Sequence, residues 1–128
     1  MNTRTTMLLS SLLSSAIEIA TGLALIAIPD LVARVLLGAE LSDSGIAVAR
    51  LAGCALLALG LACWPSGERD TPRATRALFT YNLLAGLYLG YLRVGGGFAS
   101  FLLWPASALH VVFAMLLARP AFASFRQG

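Results

Sequence analysis

The stretch Met7–Ile28, MLLSSLLSSAIEIATGLALIAI, decides the fold class of this chain. A helix crosses the hydrocarbon core of a bilayer with about 20 mostly apolar residues. This stretch has that length, and Glu18 is its single ionisable side chain. A surface helix of a soluble protein carries charged residues on the face that it turns to water. Met7–Ile28 therefore predicts a membrane-spanning helix.

Three further apolar stretches have the length of a membrane span: Gly45–Trp64, Thr75–Leu92 and Phe98–Ala118. The chain is 59% hydrophobic and 12% charged, whereas a soluble domain carries about 25% charged residues to cover its surface. The four stretches fill most of residues 1–128, so no separate soluble domain is expected. The sequence predicts a single all-α domain, an integral membrane four-helix bundle surrounded by the lipid bilayer.

Proline interrupts the apolar pattern at two places. Pro29 lacks the N–H donor that a continuing helix needs, so the first span ends there and a short helix, Leu31–Leu37, follows up to Gly38. Its apolar residues fall on one side with Arg34 away from them, which is typical of a helix lying in the membrane interface. Pro105 lies within the fourth stretch and predicts a kink in that span.

Arginine supplies all the basic charge of the chain. Arginines in short loops favour the cytoplasmic side of a membrane. The more basic side would hold Arg4, Arg69, Arg73, Arg76, Arg119 and Arg126, and the other side Arg34 and Arg93, with Arg50 near it. The asymmetry predicts cytoplasmic N and C termini, and the arginine-only, alanine-rich composition indicates a bacterial inner-membrane protein. The chain has no basic stripe interleaved with aromatic residues, so nucleic acid is not an expected partner.

Each predicted span carries a polar or ionisable residue: Glu18, Arg50, Asn82 and His110 in chain order. Polar groups inside a bilayer are costly, so they need a partner or a purpose. By helical rise, Glu18 and His110 lie near mid-membrane and can meet, whereas Asn82 lies in the inner third and Arg50 in the outer third. Small residues beside them mark the helix-packing faces. These small residues are Gly22, Ala49, Gly53, Gly86 and Gly90.

Each of the four polar residues has a structural and a functional interpretation. Arg50 snorkels to the interface or contacts a ligand, and Asn82 bonds neighbouring helices or lines a site. His110 is a packing residue or ligates the metal of a haem or chlorin from one side. Glu18 organises the bundle or carries a proton, because a charged residue at the centre of a span costs about 2.5–3.5 kcal/mol. No metal site with cysteine–histidine spacing is expected, and no cofactor other than that haem or chlorin.

Several short motifs are shared with a known group of proteins. These are Gly22, Pro29, Leu36-Leu37-Gly38 and the stretch from Arg50-Leu51-Ala52-Gly53 to Leu59-Gly60-Leu61. On them the chain resembles the DoxX-like group of small bacterial membrane proteins. The resemblance implies four spans, a proline-broken first helix followed by an interfacial helix, and an accessory role, since some members associate with membrane redox complexes.

Two classes of function remain open. Glycine and alanine stripes on so short a chain favour a non-catalytic accessory or scaffold subunit, packed against other membrane proteins or forming a homo-oligomer. The stretch Ala16–Gly22 resembles the first helix of the small multidrug resistance transporters, whose glutamate exchanges protons for cationic drugs. That resemblance favours the alternative, a proton-coupled carrier using Glu18. An enzyme is not expected, because no serine or cysteine nucleophile, paired carboxylates or phosphate loop are evident.

Overall fold

The computed structural model describes residues 2–66 and 72–126, without the side chains of Thr3, Ser124 and Phe125. All the regular structure in this part of the chain is α-helical. The helices are α1 (Thr3–Ala27), α2 (Pro29–Leu37), α3 (Asp43–Ala62), α4 (Pro72–Val94) and α5 (Leu103–Phe125). Arg69, which was placed with the cytoplasmic arginines, lies outside the described residues. The all-α prediction is confirmed.

Three of these helices are long and apolar enough to cross a membrane: α1, α3 and α5. The predicted span Thr75–Leu92 lies within α4, which has 23 residues, as many as α5. α4 is less apolar than these three helices, because it carries Arg76, Asn82 and three tyrosines. Composition and length thus support three crossing helices among the described residues.

The first span ends as the proline predicts. Ile28 leaves the helical conformation at φ −137°, and Pro29 starts α2 at a position where its missing N–H has no intrahelical partner to lose. Gly38 ends α2 in the left-handed region at φ 71°, which glycine adopts without steric cost. The hydroxyl of Ser100 donates a 2.8 Å hydrogen bond to the Val35 carbonyl and ties α2 to the α4–α5 connection.

The fourth predicted span starts later and ends later than expected. α5 runs from Leu103 to Phe125, not from Phe98 to Ala118. Pro105 therefore falls in the first turn, where backbone N–H groups have no partner within the helix, so proline breaks no hydrogen bond there. The prediction that Pro105 kinks this span is wrong. The proline inside the helix is Pro120, near its C-terminal end.

Glycines bring α1 and α3 into backbone contact. A methyl group on Gly22 would lie 2.7 Å from the Gly53 carbonyl oxygen, and one on Gly53 would lie 2.7 Å from the Gly22 carbonyl oxygen. About two turns further along α3, a methyl group on Gly60 would lie 2.7 Å from the Ser15 carbonyl oxygen. Close approach of this kind holds helices together in lipid, where burial of apolar surface does not.

α4 and α5 form the second closely packed pair. A methyl group on Gly86 would lie 2.9 Å from Cγ2 of Val111, and one on Gly90 would lie 3.2 Å from Oγ of Ser107. Ser107 also donates a 2.8 Å hydrogen bond to the Gly86 carbonyl. Ala49, the remaining predicted packing residue, is half-buried on α3. The two pairs meet where α1 packs against α5 and α4.

Candidate functional site

The buried face of α1 is polar rather than apolar. The residues concerned are Ser10, Ser11, Ser14, Ser15 and Glu18, all at most 7% exposed. In lipid this is the stable arrangement, because the outer surface meets hydrocarbon and polar groups find partners only inside. Ser15 illustrates the rule, since its hydroxyl donates a 3.1 Å hydrogen bond to the Cys63 carbonyl at the end of α3.

Asn82 of α4 faces the polar side of α1 and links three helices through hydrogen bonds. Its side chain is fully buried. Its amide nitrogen Nδ2 donates to Oγ of Ser14 on α1 at 2.8 Å and to the Leu78 carbonyl of α4 at 2.9 Å. Its carbonyl oxygen Oδ1 lies 2.9 Å from Nδ1 of His110 on α5. One amide thereby connects the α1–α3 pair with the α4–α5 pair.

The bonds of Asn82 fix the proton position on His110. Both amide hydrogens are used, and one of their acceptors, the Leu78 carbonyl, cannot donate, so the atom facing His110 is the oxygen. An oxygen that only accepts requires a donor opposite it, so Nδ1 of His110 carries the hydrogen. In the neutral imidazole Nε2 then holds a lone pair. Within the described residues Nε2 makes no hydrogen bond.

Tyr81 links Glu18 to the rest of the cluster. Its ring meets the His110 ring edge-on, with centroids 5.7 Å apart and planes at 82°. Its hydroxyl is hydrogen-bonded to the Glu18 carboxyl group. Glu18 is only 1% exposed, and its oxygen Oε1 has no hydrogen-bond partner in residues 2–66 and 72–126. A carboxylate with a bare oxygen in such a place is costly, so the arrangement favours the neutral acid.

The structure brings three of the four predicted polar residues into one cluster. Asn82 and His110 are bonded directly, and Glu18 joins them through Tyr81, without a hydrogen bond of its own to His110 among the described residues. Arg50 lies apart, exposed on α3. An exposed arginine can extend its long side chain to the interface, which is one of the two interpretations given for Arg50.

Two members of the cluster were not singled out from the sequence. Ser14 lies four residues before Glu18 and shares its helix face, so the period of the helix contains that information. The second member is Tyr81. Its contact with both Glu18 and His110 depends on how α1 and α5 flank α4, and no spacing within one helix indicates it.

The cluster can hold helices together and can hold a proton on Glu18. No group of three or more histidine, cysteine, aspartate or glutamate side chains lies together as metal ligands in the described part of the chain. The lone pair on Nε2 of His110 is the single histidine donor atom that a metal-containing cofactor would find here. Comparisons with protein-family models, with curated proteins and with solved structures give no significant match for this chain.

Proposed function

We propose that this chain is a small four-span protein of a bacterial inner membrane and acts as a non-catalytic accessory or scaffold subunit. The fourth crossing helix is α4. It matches α5 in length and packs along it through Gly86 and Gly90. Because α5 is long and apolar enough to cross the bilayer, α4 crosses beside it. The resemblance to the DoxX-like proteins agrees with this layout.

The distribution of arginine supports cytoplasmic termini. With four spans, five arginines of the described residues share the membrane side of the two termini. They are Arg4, Arg73, Arg76, Arg119 and Arg126. Arg34 and Arg93 lie on the opposite side, and Arg50 is nearest to them. An excess of arginine in short loops favours the cytoplasmic side.

The outward face of α3 is the observation that carries the scaffold function. α3 contacts α1 through Gly53 and Gly60, and the residues on its far side are all exposed. That far side consists of Ala47, Val48, Leu51, Ala55, Ala58 and Ala62. Most of these residues are small, as at helix contacts in membranes, where close backbone approach supplies the attraction. A face built in this way favours another transmembrane helix as its neighbour.

The interior supports the same function. The amide of Asn82 and the hydroxyls of Ser14, Ser15 and Ser107 are engaged in hydrogen bonds between helices. Polar groups used in this way stabilise the bundle. They provide a fixed platform for the exposed face of α3.

Native mass spectrometry in mild detergent tests the scaffold function. We expect a stoichiometric complex, with a second copy or another membrane protein, and its loss in Ala58→Leu, since a larger side chain separates the helices. Ala108→Leu is the matched control, because Ala108 is exposed on α5, away from the α3 face. A wild-type protein that is strictly monomeric, or equal effects of the two substitutions, would contradict the proposal.

A second candidate function, a proton-coupled carrier, is supported by the bare Oε1 of Glu18. A neutral carboxylic acid beside Tyr81 in a buried site can release and rebind a proton if a path to water opens. Glu18→Gln removes this proton site with little change of shape.

Infrared spectroscopy of proteoliposomes tests the carrier function. The carboxylic acid band that disappears in Glu18→Gln is followed while the pH is changed on each side of the membrane. A carrier requires this band to respond to pH, and Tyr81→Phe should shift it by removing the hydrogen bond to the hydroxyl. A band that stays constant at every pH would exclude Glu18 as a coupling group.

A further inference from the structure

The end of the bundle where the termini lie is strongly basic in the described residues. We name it the arginine end; its arginines are Arg4, Arg73, Arg76, Arg119 and Arg126. The acidic residues of the described chain are Glu18 inside the bundle and Asp30, Glu40 and Asp43 toward the other end. Glu68 and Asp70 lie outside the described residues. This end therefore attracts anions.

Arg119 occupies a particular position at this end. It is exposed, and it has no ion-pair partner within residues 2–66 and 72–126. The ion pair in the described part of the chain joins Arg34 to Glu40, with 3.3 Å between Nη2 and Oε1, and lies at the opposite end of the bundle. The guanidinium group of Arg119 keeps all its donors available for an external acceptor. Arginine binds phosphate especially well, because its planar group offers two parallel N–H donors.

Two grooves flank Arg119. The larger, about 550 Å³, runs between the start of α1 and the end of α5 and is lined by Met7, Met115 and Leu116 beside Arg119. The smaller, about 330 Å³, lies along the end of α5 from Ala118 to Arg126 and also reaches Arg119. Both grooves are largely apolar apart from their arginines. The larger lies between α1 and α5 and the smaller on α5, and both helices are apolar enough to cross a membrane.

We propose that the arginine end binds one anionic phospholipid, with its phosphate on Arg119 and an acyl chain in the larger groove, which leads from Arg119 toward the middle of α5. Charge complementarity selects the lipid. By sequence, arginines outnumber acidic residues in the segments that begin, end or connect at this end, so an anionic headgroup is favoured over a zwitterionic one. Basic sites between transmembrane helices on the cytoplasmic side recognise anionic headgroups in this way.

Native mass spectrometry with added lipid tests this inference on the full-length protein. The protein is stripped of lipid and titrated with phosphatidylglycerol or phosphatidylcholine, and lipids retained per chain are counted. We expect one phosphatidylglycerol to bind where phosphatidylcholine is not retained. Arg119→Gln should weaken phosphatidylglycerol binding about tenfold, as expected for loss of hydrogen bonds to a charged group. Arg119→Lys should bind with intermediate affinity.

Arg34→Gln is the matched control, because it removes the same charge far from the grooves. Equal retention of the two lipids, unchanged binding in Arg119→Gln, or an equal loss in Arg34→Gln would overturn the proposal. Lipid is counted on monomer and complex peaks separately, so a protein that is found only as a monomer and still retains phosphatidylglycerol would contradict the scaffold function and support this site.

Discussion

Nδ1 of His110 lies 2.9 Å from Oδ1 of Asn82, across the contact between α5 and α4. Because Asn82 also bonds Ser14 of α1, this pair is part of the connection between the two helix pairs of the bundle. A polar contact of this kind in a membrane protein sets both the arrangement of the helices and the proton position on the histidine. Its consequences are measurable separately.

The proton position on His110 can be read directly by nitrogen NMR. We expect the neutral imidazole to carry its hydrogen on Nδ1 and a lone pair on Nε2, because Oδ1 of Asn82 only accepts. His110 is the single histidine of the chain, so a ¹⁵N-histidine label gives one set of ring signals without assignment. A neutral ring protonated on Nε2 would show that the Asn82 amide is not oriented as described.

The stability of the bundle should depend on Asn82. Asn82→Leu removes the hydrogen bonds to Ser14 and His110 and leaves their polar atoms unpaired inside the bundle. Interhelical hydrogen bonds in membranes contribute about 0.6 kcal/mol on average and up to about 1.7 each, so we expect a loss of about 1–3 kcal/mol in the free energy of unfolding. Unfolding in mixed detergent micelles, followed by circular dichroism, measures it.

Thr80→Leu provides the comparison for that experiment. Thr80 lies on the same helix but is exposed, so the change from a polar residue to leucine breaks no contact between helices. We expect its stability to equal or exceed that of the wild type in a detergent micelle. If Asn82→Leu were as stable as Thr80→Leu, the amide would not hold the helices together.

Much of this arrangement follows from the sequence, and the part that does not has a clear cause. Pro29 indicates the end of α1, because its effect on the helix depends on its own segment, and Gly22 marks a face of α1 that permits close approach of another helix. The start of α5 was placed too early, since Phe98 and Phe101 are apolar but precede the first helical turn. Hydropathy alone does not separate an apolar connection from a helix.

The candidate site, too, could be predicted from the sequence only in part. The inward position of Asn82 could be predicted from the small residues that follow it every fourth position, Gly86 and Gly90. The interposition of Tyr81 between Glu18 and His110 could not, because it depends on the rotation of three helices about their axes. Arg50 lies outside this cluster, and an arginine side chain has enough length to leave the interior.

The backbone contact between α1 and α3 predicts a strong effect of one added methyl group. In Gly53→Ala, the new Cβ would lie 2.7 Å from the Gly22 carbonyl oxygen and 2.9 Å from Cβ of Leu25. The helices must separate, and overpacking of this kind costs about 1–3 kcal/mol. The same unfolding measurement should show a loss of that size.

Gly45→Ala is the control on the same helix. Its added Cβ would meet Leu41 and Ser42 at 3.4 Å, which is ordinary contact. We expect a gain of up to about 1 kcal/mol, because alanine is the better helix former. A destabilisation as large as that of Gly53→Ala would mean that the effect comes from helix propensity or membrane insertion and not from the α1–α3 contact.

Disulfide cross-linking in native membranes tests the proposed scaffold function most directly. Ala58→Cys is introduced, with both natural cysteines replaced by alanine, into the chain expressed in its own host, and Ala108→Cys serves as the comparison. We predict that, on addition of a mild oxidant, a cysteine at position 58 forms a disulfide with the same cysteine of a second copy, and that a cysteine at position 108 does not. A chain that remains monomeric with either substitution would contradict the proposal that the outward face of α3 is an interface between two copies.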